Sequence, residues 1–429
     1  MRRYCRSVDI TDIKFIERCI LKWMQNKKRR NDVHILLAQH SGYTATQIAG
    51  MVEDGRNLYG WLLPIVNNIA TDVSNRIRDR KIDLPPIKYK MKYDQGSNKW
   101  REIGIQRPIH QIFDYVAVVG CEELFDAKIG MYQMASLPGK GQEKGAATIL
   151  RWLQTDEKHT RYYAQADVRQ CYPSIDHDIL KAMFTRDIKN PALLWLIYEL
   201  IDSFPRGLSI GSYFSQYTCN YFLSRGYHYA SEQLFKERRK RSGKAERIRL
   251  VYHVMFYMDD ILFLGSSRKD VSSGMEQFGE FLDRELGLQL KPGWLLRNVD
   301  YIGKDGEHHG SYIDMMGYRV YRDHMTARRR TYRRMRRAMI RANARIESGR
   351  ELPVEMAQRA LSYCAKIQHT DCARIWHKYN IGRTKQYACK TISSHDRLMA
   401  EKRRRKMYES GNCSFAVPPG GGGVQSAVQ

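Results

Sequence analysis

Apolar residues recur every three to four positions through Ile13, Ile16, Ile20 and Trp23, the spacing of one helix face. A basic break at Lys27, Lys28, Arg29 and Arg30 ends this first helix. Asn31 and Asp32 predict the cap of a second helix through Ile35, Leu36 and Leu37; after a Ser41-Gly42 turn, Thr44 predicts the cap of a third through Ile48 and Val52. Two short helices about a glycine turn have the outline of a helix-turn-helix. The second carries no Arg, Lys or Asn to reach base edges, so packing on the main body is the expected use.

Between Lys81 and Ile105 the pattern shortens to extended runs around a turn-like segment, Asp94 to Asn98. Lys99 and Arg101 stand two apart on the returning strand and share a face, an arrangement suited to gripping a triphosphate or a template strand. A helix is predicted over Ile109 to Leu124. The glycine-rich stretch Tyr132 to Gly145 lacks the Gly-Lys-Ser or Gly-Lys-Thr ending of a Walker loop and is read as lying along a nucleic-acid backbone. Ala164 to Val168 predicts a short buried strand that presents Asp167, and Asp176 predicts a helix cap. RGLSIGSYFSQ, residues 206–216, reads as a glycine-marked loop opening a helix, with the hydroxyls of Ser209, Ser212 and Ser215 under a base pair or phosphate. In VYHVMFYMDDILFLG, Val251 to Gly265, two apolar runs flank Asp259 and Asp260, predicting a β-hairpin with its acids at the turn. Asp270 to Leu286 has the pattern of an amphipathic helix packed on a sheet.

An adjacent Asp pair suits an ordinary turn as well as it suits chemistry. A third carboxylate, Asp167, arriving from a separate strand changes that balance. Three acids can hold two hard divalent cations, Mg²⁺ or Mn²⁺, of which one activates an attacking hydroxyl and the other neutralises a leaving pyrophosphate.

Charge points the same way. The 429 residues carry 72 Lys and Arg against 46 acids, a formal net charge of +26, which calls for a polyanionic partner. Nucleic acid fits better than membrane, because no apolar run approaches the ~20 residues needed to span a bilayer. The amino-terminal stretch has no apolar core of a secretory signal, and the nine cysteines form no regular framework, so reduced thiols in a cytoplasmic protein are expected. The charge concentrates in Arg328 to Arg345, where nine arginines include Arg328, Arg329, Arg330, Arg333, Arg334, Arg336, Arg337 and Arg341. On a helix they leave a narrow apolar stripe of Tyr332, Met335, Met339 and Ile346, so phosphate contacts are the expected role. Residues 236–247 read as a solvated insertion against RNA backbone, and a disordered tail is expected from about Asn412. Cys364, His369, Cys372 and His377 do not match a standard zinc spacing, and helical packing explains them better.

Asp167 with Cys-Tyr-Pro-Ser-Ile-Asp behind it, the Gly-x-x-x-Ser-Gln loop and Tyr-Met-Asp-Asp at 257–260 together resemble the successive polymerase motifs of reverse transcriptases, in order and spacing. The resemblance implies an α+β, right-hand fold. A helical extension would occupy residues 1–80, fingers 81–160, a palm with an antiparallel sheet 161–310, a primer grip 311–325, a basic helical thumb 326–411 and the tail 412–429. It implies that Asp167, Asp259 and Asp260 hold the metals together with the Val168 carbonyl. Tyr172 would lie under the sugar and reject a 2′ hydroxyl; Lys99, Arg101, Ile210, Gly211 and Gln216 would meet the nucleotide; Lys291 would protonate the pyrophosphate. In retroviral and group II intron enzymes the loop usually reads Gln-Gly-x-x-x-Ser-Pro, whereas Ile210 and Gln216 stand here. That form resembles bacterial defence-associated and diversity-generating reverse transcriptases. The implied partners are a structured noncoding RNA template, a DNA primer or product and deoxynucleoside triphosphates, with no membrane, and a homo-oligomer is compatible. The implied activity is cDNA synthesis, in antiphage defence or in a diversity-generating element. An RNA-binding scaffold and a template-independent DNA polymerase are the other readings.

Overall fold

The structure is a computed structural model and describes residues 3–55, 57–94, 99–239 and 245–409. The expected tail at 412–429, the turn residues 95–98 and the centre of the basic insertion lie outside the described residues. Four helices open the chain: α1 (Ile13–Met24), α2 (Asn31–Gln39), α3 (Ala45–Asp54) and α4 (Leu58–Arg78). Asp12 caps α1 by accepting from the Phe15 amide at 2.9 Å. Thr44 and Gln47 form a reciprocal capping box on α3. Helix α2 begins one residue earlier than expected, at Asn31, and its cap position is Arg30 without a side-chain bond.

Strands β1 (Lys88–Asp94) and β2 (Lys99–Ile105) form an antiparallel hairpin. The single helix expected over 109–124 is two, α5 (Pro108–Gly120) and α6 (Glu122–Lys128). The break falls at Gly120, whose missing Cβ lets the Leu193 methyl approach to within 2.9 Å of where that Cβ would lie, and Glu122 and Glu123 start a new first turn. Then follow α7 (Gln142–Thr155), β3 (Tyr162–Asp167), a single 3₁₀ turn at Tyr172–Ser174, α8 (His177–Asp187), α9 (Pro191–Asp202) and α10 (Tyr213–Glu232). The glycine-rich stretch from Tyr132 is therefore not a loop throughout. Met134 donates to the Phe256 carbonyl at 2.8 Å and Phe256 to the Tyr132 carbonyl at 3.0 Å, and α7 begins at Gln142.

The basic insertion is flanked by paired strands, β4 (Phe235–Arg239) and β5 (Ala245–Arg249). Arg247 lies 4.4 Å over the Phe235 ring and Lys236 pairs with Asp270 at 2.6 Å, so part of this charge run is folded onto the body. Strands β6 (His253–Tyr257), β7 (Asp260–Gly265) and β8 (Leu295–Asn298) complete a four-stranded antiparallel sheet in the order β6-β7-β3-β8. Helix α11 (Arg268–Leu286) crosses it, and Phe278 meets the rings of Phe256 and Phe263 at 5.7 and 5.2 Å. On the opposite face Met255, Leu262 and Leu264 pack with Ile149 and Leu153 of α7 and with Ile313, Met315 and Val320. Burial on both faces is why Ile261 to Leu264 reads as an unbroken apolar run rather than an alternating one.

Beyond the sheet come β9 (Tyr301–Ile302), β10 (His308–His309) and the three-stranded β11 (Ile313–Met315), β12 (Tyr318–Val320) and β13 (Met325–Ala327). Four helices close the chain: α12 (Arg329–Glu347), α13 (Val354–Ile367), α14 (Ala373–Lys378) and α15 (Ile381–Glu409). Met335, Met339, Ala342 and Ile346 are the buried stripe of α12, and Cys364 is buried in the same helical core. Helix α15 also packs against α3. Among the described residues all eight cysteines are free thiols, and no helix is long and apolar enough to cross a membrane.

Candidate active site

Two adjacent strands carry the three acids to one place. β3 ends at Asp167, which lies directly opposite Asp260, the first residue of β7. The β6–β7 connection is a two-residue turn, Met258-Asp259, closed by the pair Tyr257 and Asp260. Met258 adopts a left-handed φ of 53°, strain that a tight hairpin imposes on a residue with a side chain. The main chain fastens the turn from below: the Val168 amide donates to the Asp259 carbonyl at 2.9 Å, and the Lys291 amide to the Asp167 carbonyl at 2.8 Å.

Burial pushes the Asp260 carboxyl up to about 8, with its hydrogen bond to Asp167 and the charge of Asp259 adding to the effect. Asp259 is also raised, by burial and then by Asp167. Burial acts on Asp167 in the same direction, but the bond from Asp260 and the Lys291 ammonium, 3.2 Å away, bring it below its ordinary value. Among the described residues no three His, Cys, Asp or Glu side chains already stand in metal-holding geometry, and the Lys291 ammonium lies 3.2 Å from Asp167. The donor set fits a hard divalent cation: three crowded carboxylates, of which Asp259 and Asp260 are raised by burial and by their acidic neighbours and would ionise more readily beside a positive charge.

Lys99 and Arg101 lie close enough for their charges to act on Asp167 and Asp259 respectively. Strand alternation puts them on the hairpin face shared with Lys88, Lys90 and Lys92. Tyr89, Met91, Tyr93 and Trp100 line the other face, all exposed. Tyr172 is half-buried, with its hydroxyl 3.8 Å from the Met258 sulfur; its main-chain carbonyl accepts from Leu208 at 2.8 Å. Gly211, at φ +115°, lets the loop run against the hairpin: the Gly104 amide donates to the Ile210 carbonyl at 2.9 Å. Gln216 lies in the first turns of α10, half-buried.

Two expectations change. Ser212 and Ser215 are buried and point inward, so neither hydroxyl is available to a base pair. Ser212 caps α10 by accepting from the Ser215 amide at 3.1 Å, and Ser209 donates to the Ile210 carbonyl at 3.3 Å. Of the arginines, Arg329, Arg333, Arg336, Arg337 and Arg341 are exposed, but Arg328 pairs with Asp314, and Arg336 also donates to the Tyr379 hydroxyl at 3.1 Å. A groove of about 430 Å³ between α12 and α13 is lined by Arg334, Arg337, Arg341 and Arg359, with Glu355 and Tyr363 beside them.

Sequence reading missed Asp114. It is wholly buried, and burial pushes its carboxyl up to about 7 despite bonds from Ser212, Phe214 and Gln106. The signal was present: a lone acid inside the apolar run Ile112 to Val119. Since the unfolded chain releases this proton at its ordinary value of 3.8 and the folded chain near 7, stability falls as pH rises through that window and is level above it. Asp114→Asn is expected to remove this fall, about 1.4 kcal/mol per pH unit inside the window, in denaturant melts across pH.

An antiparallel sheet with three carboxylates at the meeting ends of two strands, faced by a cationic hairpin, is an arrangement suited to nucleotidyl transfer. The chain belongs to the reverse transcriptase (RNA-dependent DNA polymerase) family, whose model matches residues 74–293. It is accordingly an RNA-directed DNA polymerase with the palm and fingers of that family, acting on an RNA template, a DNA primer or product and deoxynucleoside triphosphates. Among curated proteins no match was found.

Proposed function

We propose that this polymerase copies a structured noncoding RNA into cDNA by two-metal nucleotidyl transfer centred on Asp167, Asp259 and Asp260, in the setting of bacterial antiphage defence. The observation that carries the reading is the pairing of Asp167 with Asp260 across β3 and β7, under the charges of Lys99 and Arg101. Asp167, Asp259 and the Val168 carbonyl would hold Mg²⁺ or Mn²⁺, with Asp260 the less direct partner. Bound there, the cations supply a polarised primer hydroxyl and a neutralised pyrophosphate. The chain's own groups would do the rest: Lys99 and Arg101 would orient the triphosphate, and Lys291, 3.2 Å from Asp167, would give a proton to the leaving group. The Ile-Gly-x-x-x-Ser-Gln loop supports the bacterial defence assignment over a retroviral one.

The test is to purify the protein with its co-expressed nucleic acid and sequence both RNA and DNA. A bound RNA with DNA complementary to it supports the reading. RNA without DNA would favour a scaffold, DNA matching no RNA would favour template-independent synthesis, and DNA with dispersed substitutions relative to its RNA would favour a diversity-generating element.

Two further results are expected. Tyr172→Ala opens the space beneath the sugar and should lower discrimination against ribonucleotides by at least about tenfold, read as the ratio of kcat/KM for dGTP and GTP. RNA binding should weaken steeply with salt. Replacing Arg333, Arg337 and Arg341 together by Gln should flatten the log–log slope by about 2 to 3, measured by filter binding across a salt series.

A further inference from the structure

Asp114 lies on α5, and among the described residues no ion pair reaches it. Every bond it makes goes to the segments around the loop. Its Oδ2 accepts from Ser212 Oγ at 2.7 Å and from the Phe214 amide at 3.4 Å, while Oδ1 accepts from Gln106 Nε2 at 3.3 Å. Ser212 Oγ in turn accepts from the Ser215 amide, so two first-turn amides of α10 end on a carboxylate almost a hundred residues away in sequence. The contact is extended by Tyr115, which stacks on Tyr213 with ring centroids 3.9 Å apart and carries the Lys27 ammonium 4.8 Å over its ring. Residues 210–214 are therefore clamped from two sides, by the Gly104 amide on the hairpin and by Asp114 from the helix behind. The same loop meets the Tyr172 main chain through Leu208.

We propose that Asp114 is a positioning residue for nucleotide binding: through Ser212 and Phe214 it fixes where Ile210 and Gly211 stand relative to Tyr172 and the hairpin, and so sets the affinity for the incoming deoxynucleotide. This rests on the reading above that the Ile210-Gly211 loop meets the nucleotide. A carboxylate oxygen rather than a charge is what the geometry needs, since both loop donors are neutral O–H and N–H groups. Asparagine can replace it, with its amide oxygen toward Ser212 and Gln106 turned to present its own oxygen.

Single-nucleotide incorporation on a fixed primer–template tests this. Asp114→Ala and Ser212→Ala should each raise the dNTP KM by about tenfold or more with kcat changed far less, and Asp114→Asn should restore most of the loss. The Asp114→Ala/Ser212→Ala double variant should lose clearly less than the two singles combined, because both break the Ser212–Asp114 bond. Additive losses, or a fall in kcat at unchanged KM, would overturn the assignment. Where Asp114→Ala fails to fold, Ser212→Ala decides: an unchanged KM there also overturns it. Ile210→Ala separates the two layers. If the wild type incorporates nucleotide but Ile210→Ala leaves KM untouched, the loop reading itself fails and this inference with it; if Ile210→Ala raises KM while Asp114→Ala and Ser212→Ala do not, only the inference fails.

Discussion

Asp259→Ala is expected to reduce DNA synthesis by at least about a thousandfold while RNA binding survives. The size follows from what the residue would do: removing one ligand of a site that stabilises a transferring phosphoryl group removes an interaction that strengthens in the transition state. In the proposed reading RNA binding would rest instead on the arginines of α12, exposed at Arg329, Arg333, Arg336, Arg337 and Arg341 beside a separate helical core. The stability of the protein should move the other way. Because burial and the neighbouring acids raise Asp260 to about 8, this carboxyl sits unfavourably in the metal-free fold, and Asp260→Asn should raise the melting temperature in chelator-treated buffer by a few degrees. Loss of activity in Asp259→Ala beside a gain in thermal stability in Asp260→Asn separates a site strained for function from one that merely holds the sheet together. Scanning calorimetry and primer extension on the same preparation read both.

Gly211→Ala is expected to cost about a hundredfold in kcat/KM for nucleotide incorporation. At φ +115° the backbone is in a region side chains rarely enter, and an added Cβ would stand 2.7 Å from the Gly104 carbonyl oxygen and 3.0 Å from a methyl of Ile103. Neither neighbour is free to yield, since Gly104 is main chain in β2 and its amide is tied to Ile210. The hairpin would have to lift, carrying Lys99 and Arg101 away from the acids. Gly42→Ala is the control: it has open space around it, and its activity should match the wild type.

The acidic site was legible in the chain because its determinants are local. Two runs of strand-forming apolar residues flanking an acid pair placed Asp259 and Asp260 at a hairpin tip, and a short apolar run ending in Asp167 gave the partner strand. The first three helices followed from apolar spacing, and Thr44 caps the third as its sequence predicts. What escaped was set by partners far apart in sequence. Nothing near Ser212 says that its hydroxyl turns inward; the acid that draws it in lies on α5. Arg328 reads like its neighbours until Asp314, on the preceding strand pair, claims it. The paired flanks of the basic insertion depend on Phe235 being covered by Arg247 across the strands, which no charge count anticipates. The split at Cys121 depends on how closely α9 approaches Gly120.

The most direct test of the account is extension of a DNA primer on a defined heteropolymeric RNA by purified protein with Mg²⁺ and four dNTPs, followed by sequencing of the product. The account predicts DNA complementary to the RNA from the wild type and none from Asp167→Ala or Asp259→Ala. Product that persists in those variants, or DNA from the wild type that is unrelated to the RNA supplied, would contradict it.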